Sequence, residues 1–142
     1  MALSANRKRF EKLLEDWVVI EDKSIDTASD LMGKSKNPMV TAIIDLLKCD
    51  SQKHKNILQA IQFNLDHAVT FTNDDMKVVD TFITNHAEME KNAVETAEQA
   101  LEMSSLPIPR FLLENLLEDE KKHDVYIEEL NELKMRMAKG TQ

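Results

Sequence analysis

Two glycines and three prolines in 142 residues leave this chain with almost no backbone punctuation. So few breakers exclude a loop-rich or all-β architecture and point to long, uninterrupted helices. The single cysteine, Cys49, excludes an intramolecular disulfide and any Cys-x-x-Cys metal knuckle, and fits a reducing compartment. Basic residues are outnumbered: 18 Lys and Arg stand against 26 Asp and Glu, a formal net charge of −8. That balance argues against nucleic acid as the main partner, because phosphate recognition needs a basic surface. No apolar run approaches the roughly 20 residues of a membrane span. Ala2 to Glu15 is charged and lacks the apolar centre of a secretion signal. The expectation is one cytoplasmic all-α domain over residues 1–142, long enough to bury a core.

What is present is helical periodicity. A first helix is expected from about Ser4 to Met32, with the stripe Phe10, Leu13, Leu14, Trp17, Glu21, Ile25, Ala28 and Leu31 facing the core. Gly33 and a short polar turn stop it, and Pro38 suits the first turn of a second helix. That helix carries Ile43, Ile44, Leu47, Ser51, His54, Ile57, Leu58 and Ile61. A third is expected to start near Asn73-Asp74-Asp75, a capping cluster, and a fourth to open at Pro107 and Pro109 and end near Lys139-Gly140. Between helices 2 and 3, Ala68 to Thr72 is β-branched and aromatic and reads as an extended crossover within residues 62–75. A crossover of about 40 Å needs some 12 residues at roughly 3.3 Å each, so helix 2 would have to end near Ile61. If both helices run long, the halves could instead be exchanged between two chains.

Polar residues interrupt the apolar seams at particular places. In helix 4, Glu120 and His123 follow Leu113, Leu116 and Leu117 and precede Ile127 and Leu130, three residues apart on one face. A carboxylate and an imidazole at core positions need a partner, since burial without one is costly. A metal ion is the obvious candidate. Subtracting 69 from each position gives a fainter copy with no gap: Glu90 maps to Glu21, Pro107 to Pro38, Asp119 to Asp50, Lys122 to Lys53 and His123 to His54. The chain therefore reads as two repeated halves, about 1–71 and 72–142. Glu120 alone among these polar seam positions has no counterpart of its kind, because it maps to Ser51.

Glu on helix 1, Asp and His on helix 2, Glu on helix 3 and Glu-x-x-His on helix 4 resemble the ferritin-like superfamily of dimetal-carboxylate four-helix bundles. The rubrerythrin and erythrin type, without a rubredoxin domain, is the nearest in feel. The resemblance implies a bundle of two duplicated helical hairpins with metal ligands Glu21, His54, Glu90, Glu120 and His123. It makes Asp50 and Asp119 the residues that orient His123 and His54. It implies iron, two ions, with manganese and zinc as alternatives, and reaction with oxygen or peroxide in iron oxidation or peroxide removal. Electrons would come from a separate donor, since the four cysteines of a rubredoxin are absent. Without a fifth helix a storage cage is disfavoured and a homodimer is expected.

Ser51 departs from that pattern by standing where a second bridging glutamate belongs. His86, one turn before Glu90 on the same face, is a candidate replacement ligand. The competing reading is a metal-free or single-metal helical module with a degenerate site, working through a partner bound to its surface. Cys49 and Trp17 are expected to be buried.

Overall fold

The computed structural model describes residues 2–67 and 70–138. Among these the chain forms four helices and no strand: α1 (Ala2–Met32), α2 (Pro38–Asp66), α3 (Asn73–Met103) and α4 (Pro107–Ala138). The expected end of helix 4 at Lys139-Gly140, and Ala68 and Val69 of the expected crossover, lie outside the described residues. No helix among the described residues is long and apolar enough to cross a membrane. The all-α class and the duplicated-hairpin construction hold: α1 pairs with α2, α3 pairs with α4, and the chain divides into two compact units, Met1–Val69 and Thr70–Gln142.

Local chemistry sets the ends. Pro38 is the first residue of α2, where its missing N–H is no loss, and the Asn37 side chain accepts from Met39 N at 2.9 Å. Pro107 opens α4 at the position 69 residues on. Helix α3 is capped by Thr72, one residue before the expected cluster. Its hydroxyl accepts from Asp75 N at 3.1 Å, and its own N–H donates to the Asp75 carboxylate at 2.8 Å. This reciprocal box satisfies two amides at once. It also holds the Asp75 carboxyl below its ordinary range, chiefly through the Thr72 backbone N–H.

Helix α3 starts where its capping cluster predicts, whereas the end of helix 2 near Ile61 that a long crossover would require is not found. Helix α2 runs past Ile61 to Asp66 because its last turn is held: the His67 N–H and the His67 Nδ1 both meet Phe63 O, at 3.0 and 3.1 Å. The connection is therefore only residues 67–72.

Within each hairpin a narrow seam is buried. Leu14, Glu21 and Ala28 of α1 recur every seven residues and meet Ser51 and Leu58 of α2, also seven apart. That spacing is the seam of two helices packed along their length. In the second hairpin Leu117 and Ile127 are buried, and Ile127 is the repeat counterpart of Leu58. Fully burying a leucine contributes about 1.5–3 kcal/mol, so Leu14 and Leu58 anchor the first hairpin. The wider stripes read from the sequence are only partly covered: Phe10, Leu13, Trp17 and Leu31 in α1, Leu47 and Ile57 in α2, and Leu116 in α4 remain exposed. One partner helix covers a seam, whereas a stripe of those residues spans more than 100° of the helix surface.

Replacing Thr72 by alanine removes one side of the capping box and should lower stability by about 1 kcal/mol. Hydrogen exchange should show the loss first in the amides of Asp74 to Met76, and unchanged protection there would refute the cap assignment.

Candidate metal centre

In the α3–α4 hairpin, Glu90 comes from the middle of α3, and Glu120 and His123 from consecutive turns of α4. Three-residue spacing sets the last two on one face, so hairpin pairing carries them onto Glu90. His123 Nδ1 lies 3.4 Å from Glu90 Oε2 and 3.7 Å from Glu120 Oε2. One ligand atom from each residue fits within 4.8 Å of the others. This is the one such grouping of three or more His, Cys, Asp or Glu side chains among the described residues. Glu90 Oε2 is buried and has no hydrogen-bond partner, since the ring nitrogen near it is not aligned to donate. Burial, then the close Glu90 carboxyl, push the Glu120 carboxyl above its ordinary value, and His123 offsets this only in part.

The α1–α2 hairpin repeats this geometry with different chemistry. Glu21 is buried, and its Oε1 lies 3.3 Å from His54 Nδ1, close to the Glu90–His123 separation. Here the carboxylate is supplied with donors. The Trp17 indole N–H donates to Glu21 Oε1 at 3.0 Å, and the Ser51 hydroxyl also bonds to Glu21. Ser51 Oγ lies 2.9 Å from Ser24 Oγ, so Ser24 can donate to Ser51 while Ser51 donates to the carboxylate. Burial alone would raise the Glu21 carboxyl, but the bonds from Ser51, Trp17 and His54 outweigh it and hold the group below its ordinary value.

The cluster read from the sequence thus appears as two sets, Glu21 with His54 and Glu90 with Glu120 and His123. The proposed orienting aspartates pair locally. Asp50 meets Lys53 at 3.2 Å and Asp119 meets Lys122 at 4.0 Å, each within its own helix. His86 turns its Nδ1 to Phe82 O at 2.9 Å and stacks on the Phe82 ring. Ser51 is one of the most buried polar residues, consistent with its seam position. Cys49 is exposed rather than buried, because it sits two residues from Ser51 and so turns off the seam. Trp17 is half exposed rather than core, its indole edge given to Glu21. The sequence reading missed Trp17, Ser24 and Ser51 as a donor set, although Trp17 and Glu21 stand at the helical i,i+4 spacing that could have revealed the first.

An apolar groove of about 510 Å³ in the second hairpin reaches Glu120, lined also by Ala93, Thr96, Ala97, Leu113 and Leu116. A smaller groove of about 300 Å³ in the first is lined by the counterparts of five of these, Ser24, Thr27, Ala28, Ile44 and Leu47, and not by Ser51. The carboxylate of Glu120 is therefore approachable along an apolar surface. Comparison of the chain with family models, curated proteins and solved structures finds no match.

The donor set fits a cation. Two carboxylates and one imidazole converge on a point, and one carboxylate oxygen is buried without a donor. Glu21, in contrast, is already balanced.

The two hairpins should therefore respond oppositely to neutralisation. The depressed Glu21 carboxyl contributes stability above the ordinary carboxyl pKa of about 4.3, lost as pH falls through its folded value. Glu21→Gln should destabilise by about 1–3 kcal/mol at pH 7, with the deficit shrinking in acid. The raised Glu120 carboxyl is at ease below about 4.3 and loses that advantage as pH rises through its elevated value. Glu120→Gln should accordingly raise the Tm at pH 7 in chelator-treated protein. Melting curves from pH 3 to 8 check both signs, and equal responses would refute the asymmetry.

Proposed function

We propose that this protein is a ferritin-like metal-binding protein, its principal ligands Glu90, Glu120 and His123 on the α3–α4 hairpin, and that the ion is iron. The observation that carries this reading is the buried Glu90 Oε2, which has no hydrogen-bond partner and faces Glu120 and His123. A buried carboxylate oxygen without a donor is costly, and a divalent cation would relieve both that cost and the repulsion from Glu120. Oxygen and imidazole donors suit borderline divalent ions, among which manganese and zinc compete with iron.

Glu90 and Glu120 would hold the cation by charge, and His123 would ligate through Nδ1, the nitrogen facing the carboxylates. Bound iron supplies one-electron chemistry toward oxygen or peroxide, an oxidoreductase activity that requires an electron donor from elsewhere. Ala97, Leu113 and Leu116 keep the approach to Glu120 apolar, which favours entry of a small neutral oxidant over a hydrated anion. In the wider reading the protein is a homodimeric cytoplasmic four-helix bundle, and Glu21 and His54 on the α1–α2 hairpin would take a second ion. Because Trp17, Ser51 and His54 already compensate Glu21, a second ion would bind more weakly than the first. That same compensation favours the second reading, a single-metal or metal-free helical interaction module.

Anaerobic reconstitution with ferrous iron separates the readings. About one firmly held iron per chain is expected, with an optical change on exposure to oxygen or peroxide and a Tm lowered by chelation through mass action. No bound iron and an unchanged Tm would sink the metal reading and leave the interaction module. Ser51→Glu, which places a second carboxylate beside Glu21, should raise uptake toward two irons. Unaltered uptake would exclude Glu21 and His54 as ligands.

A further inference from the structure

We propose that Met89 is a modification site beside the α3–α4 cation site, its thioether taking an oxygen atom from peroxide and becoming a sulfoxide. The inference rests on the reading of Glu90, Glu120 and His123 as that site. It starts from the direction of the apolar groove in this hairpin. Helices α3 and α4 pair as two arms of a hairpin, so positions rising along one meet positions falling along the other. His123 Nδ1 lies 3.4 Å from Glu90 Oε2, which fixes the level of the site. Met89 and Glu120 line the groove at that level, and Ala100 and Leu113 line its far end. Met89 precedes Glu90 by one residue, a rise of about 1.5 Å along the helix axis. The thioether and the candidate ligand Glu120 thus share one end of the groove.

Chemistry separates Met89 from the rest of this lining. Ala93, Ala97, Leu113 and Leu116 carry saturated hydrocarbon, inert to peroxide, whereas a thioether sulfur has lone pairs and is readily oxidised. The 69-residue repeat puts Ile20 at the same place in the first hairpin. The oxidisable atom therefore accompanies the incomplete carboxyl pair, and the self-sufficient copy has a hydrocarbon there.

The step balances without an outside reductant. The O–O bond of peroxide breaks, one oxygen forms the S=O bond, and the other leaves as water with both protons. Sulfur loses the two electrons that peroxide gains. Peroxide drawn to a cation held by Glu90, Glu120 and His123 meets the Met89 thioether at the same end of the groove. A sulfoxide is polar, so the approach to Glu120 turns from apolar to polar until the sulfoxide is reduced again.

Exposure alone would order the methionines differently. Met103 is 86% exposed, Met89 53% and Met135 51%, so peroxide from bulk solvent should attack Met103 first and treat the other two alike. Peptide mass spectrometry of the full-length protein after a brief pulse of peroxide separates the two orders. With ferrous iron loaded anaerobically, Met89 sulfoxide should exceed that of Met103 and Met135 on the order of tenfold. With zinc in its place, an ion that fills the site and has no redox chemistry, Met103 should lead. Met89→Leu should bind as much iron as the parent and, with no electron donor added, consume about one equivalent of peroxide fewer per chain. Iron bound as in the reading above, with Met103 still oxidised first, would overturn the role of Met89 and leave the three-residue site standing. No bound iron, with Met103 first under every condition, would overturn the site and Met89 together.

Discussion

A carboxylate placed in the seam of a helical hairpin has to be compensated, and the rest of this molecule follows from how that is done. Glu21 and Glu90 occupy the same point of two hairpins whose buried apolar residues are Leu14, Ala28 and Leu58 in the first and Leu117 and Ile127 in the second. Water is largely excluded there, so the compensation must come from neighbouring side chains or from a bound ion. In the first hairpin Trp17, Ser51 and His54 surround Glu21 with hydrogen atoms to accept. In the second, Glu120 adds a like charge and one oxygen of Glu90 is left without a donor. The chain holds one self-sufficient copy and one copy that is electrostatically incomplete.

That pairing gives the incomplete copy an internal reference. Buried polar clusters are often difficult to interpret because structural and functional burial look alike. Here the structural version is present in the same chain, at the same register, with nearly the same Glu–His separation of 3.3 against 3.4 Å. The difference between the copies isolates what a merely structural cluster does not need. A second carboxylate in place of a hydroxyl is unfavourable for a seam while both groups are charged, and a proton held by Glu120 or a bound cation would relieve it. An isolated hairpin of the first kind could persist as packing; one of the second kind is poorly explained as packing alone.

The architecture was legible because its signals are local and strong. Scarce glycine and proline, Pro38 and Pro107 at matching places, and apolar residues at helical spacing were enough to define two repeated hairpins. The seam glutamates were legible too, since an acid inside a leucine stripe stands out. Three things were hidden. The end of α2 at Asp66 depends on His67 folding back onto Phe63, which is invisible to a propensity argument, whereas the start of α3 at Asn73 was legible in its capping cluster. The exposure of Phe10, Leu13 and Trp17 was hidden because an apolar stripe records what a helix is able to bury, whereas the partner helix decides how much of it is covered. The bonding of Ser51 was hidden: besides standing where a second bridging glutamate belongs, it hydrogen-bonds to Glu21. Sequence spacing shows which residues share a face, but whether a polar residue there gives or takes a hydrogen bond depends on the group across the seam.

On the proposed reading, the stability of the two hairpins is divided in a way that suits their roles. The first spends no stability on function, because its carboxylate is held charged at neutral pH by fixed donors. It can serve as a rigid half of the molecule whether or not metal is present. The second carries two close carboxyl groups with too few donors, so its relaxed state at neutral pH requires a bound cation, and ion binding and local folding become one equilibrium. An ion held by such a site is retained in proportion to the repulsion it removes. Replacing Glu120 by a hydroxyl, as the first hairpin has done, would remove the repulsion and the affinity together. Both hairpins are therefore answers to the same constraint, and the choice between serine and glutamate at one seam position sets whether the compensating charge is built in or must be bound.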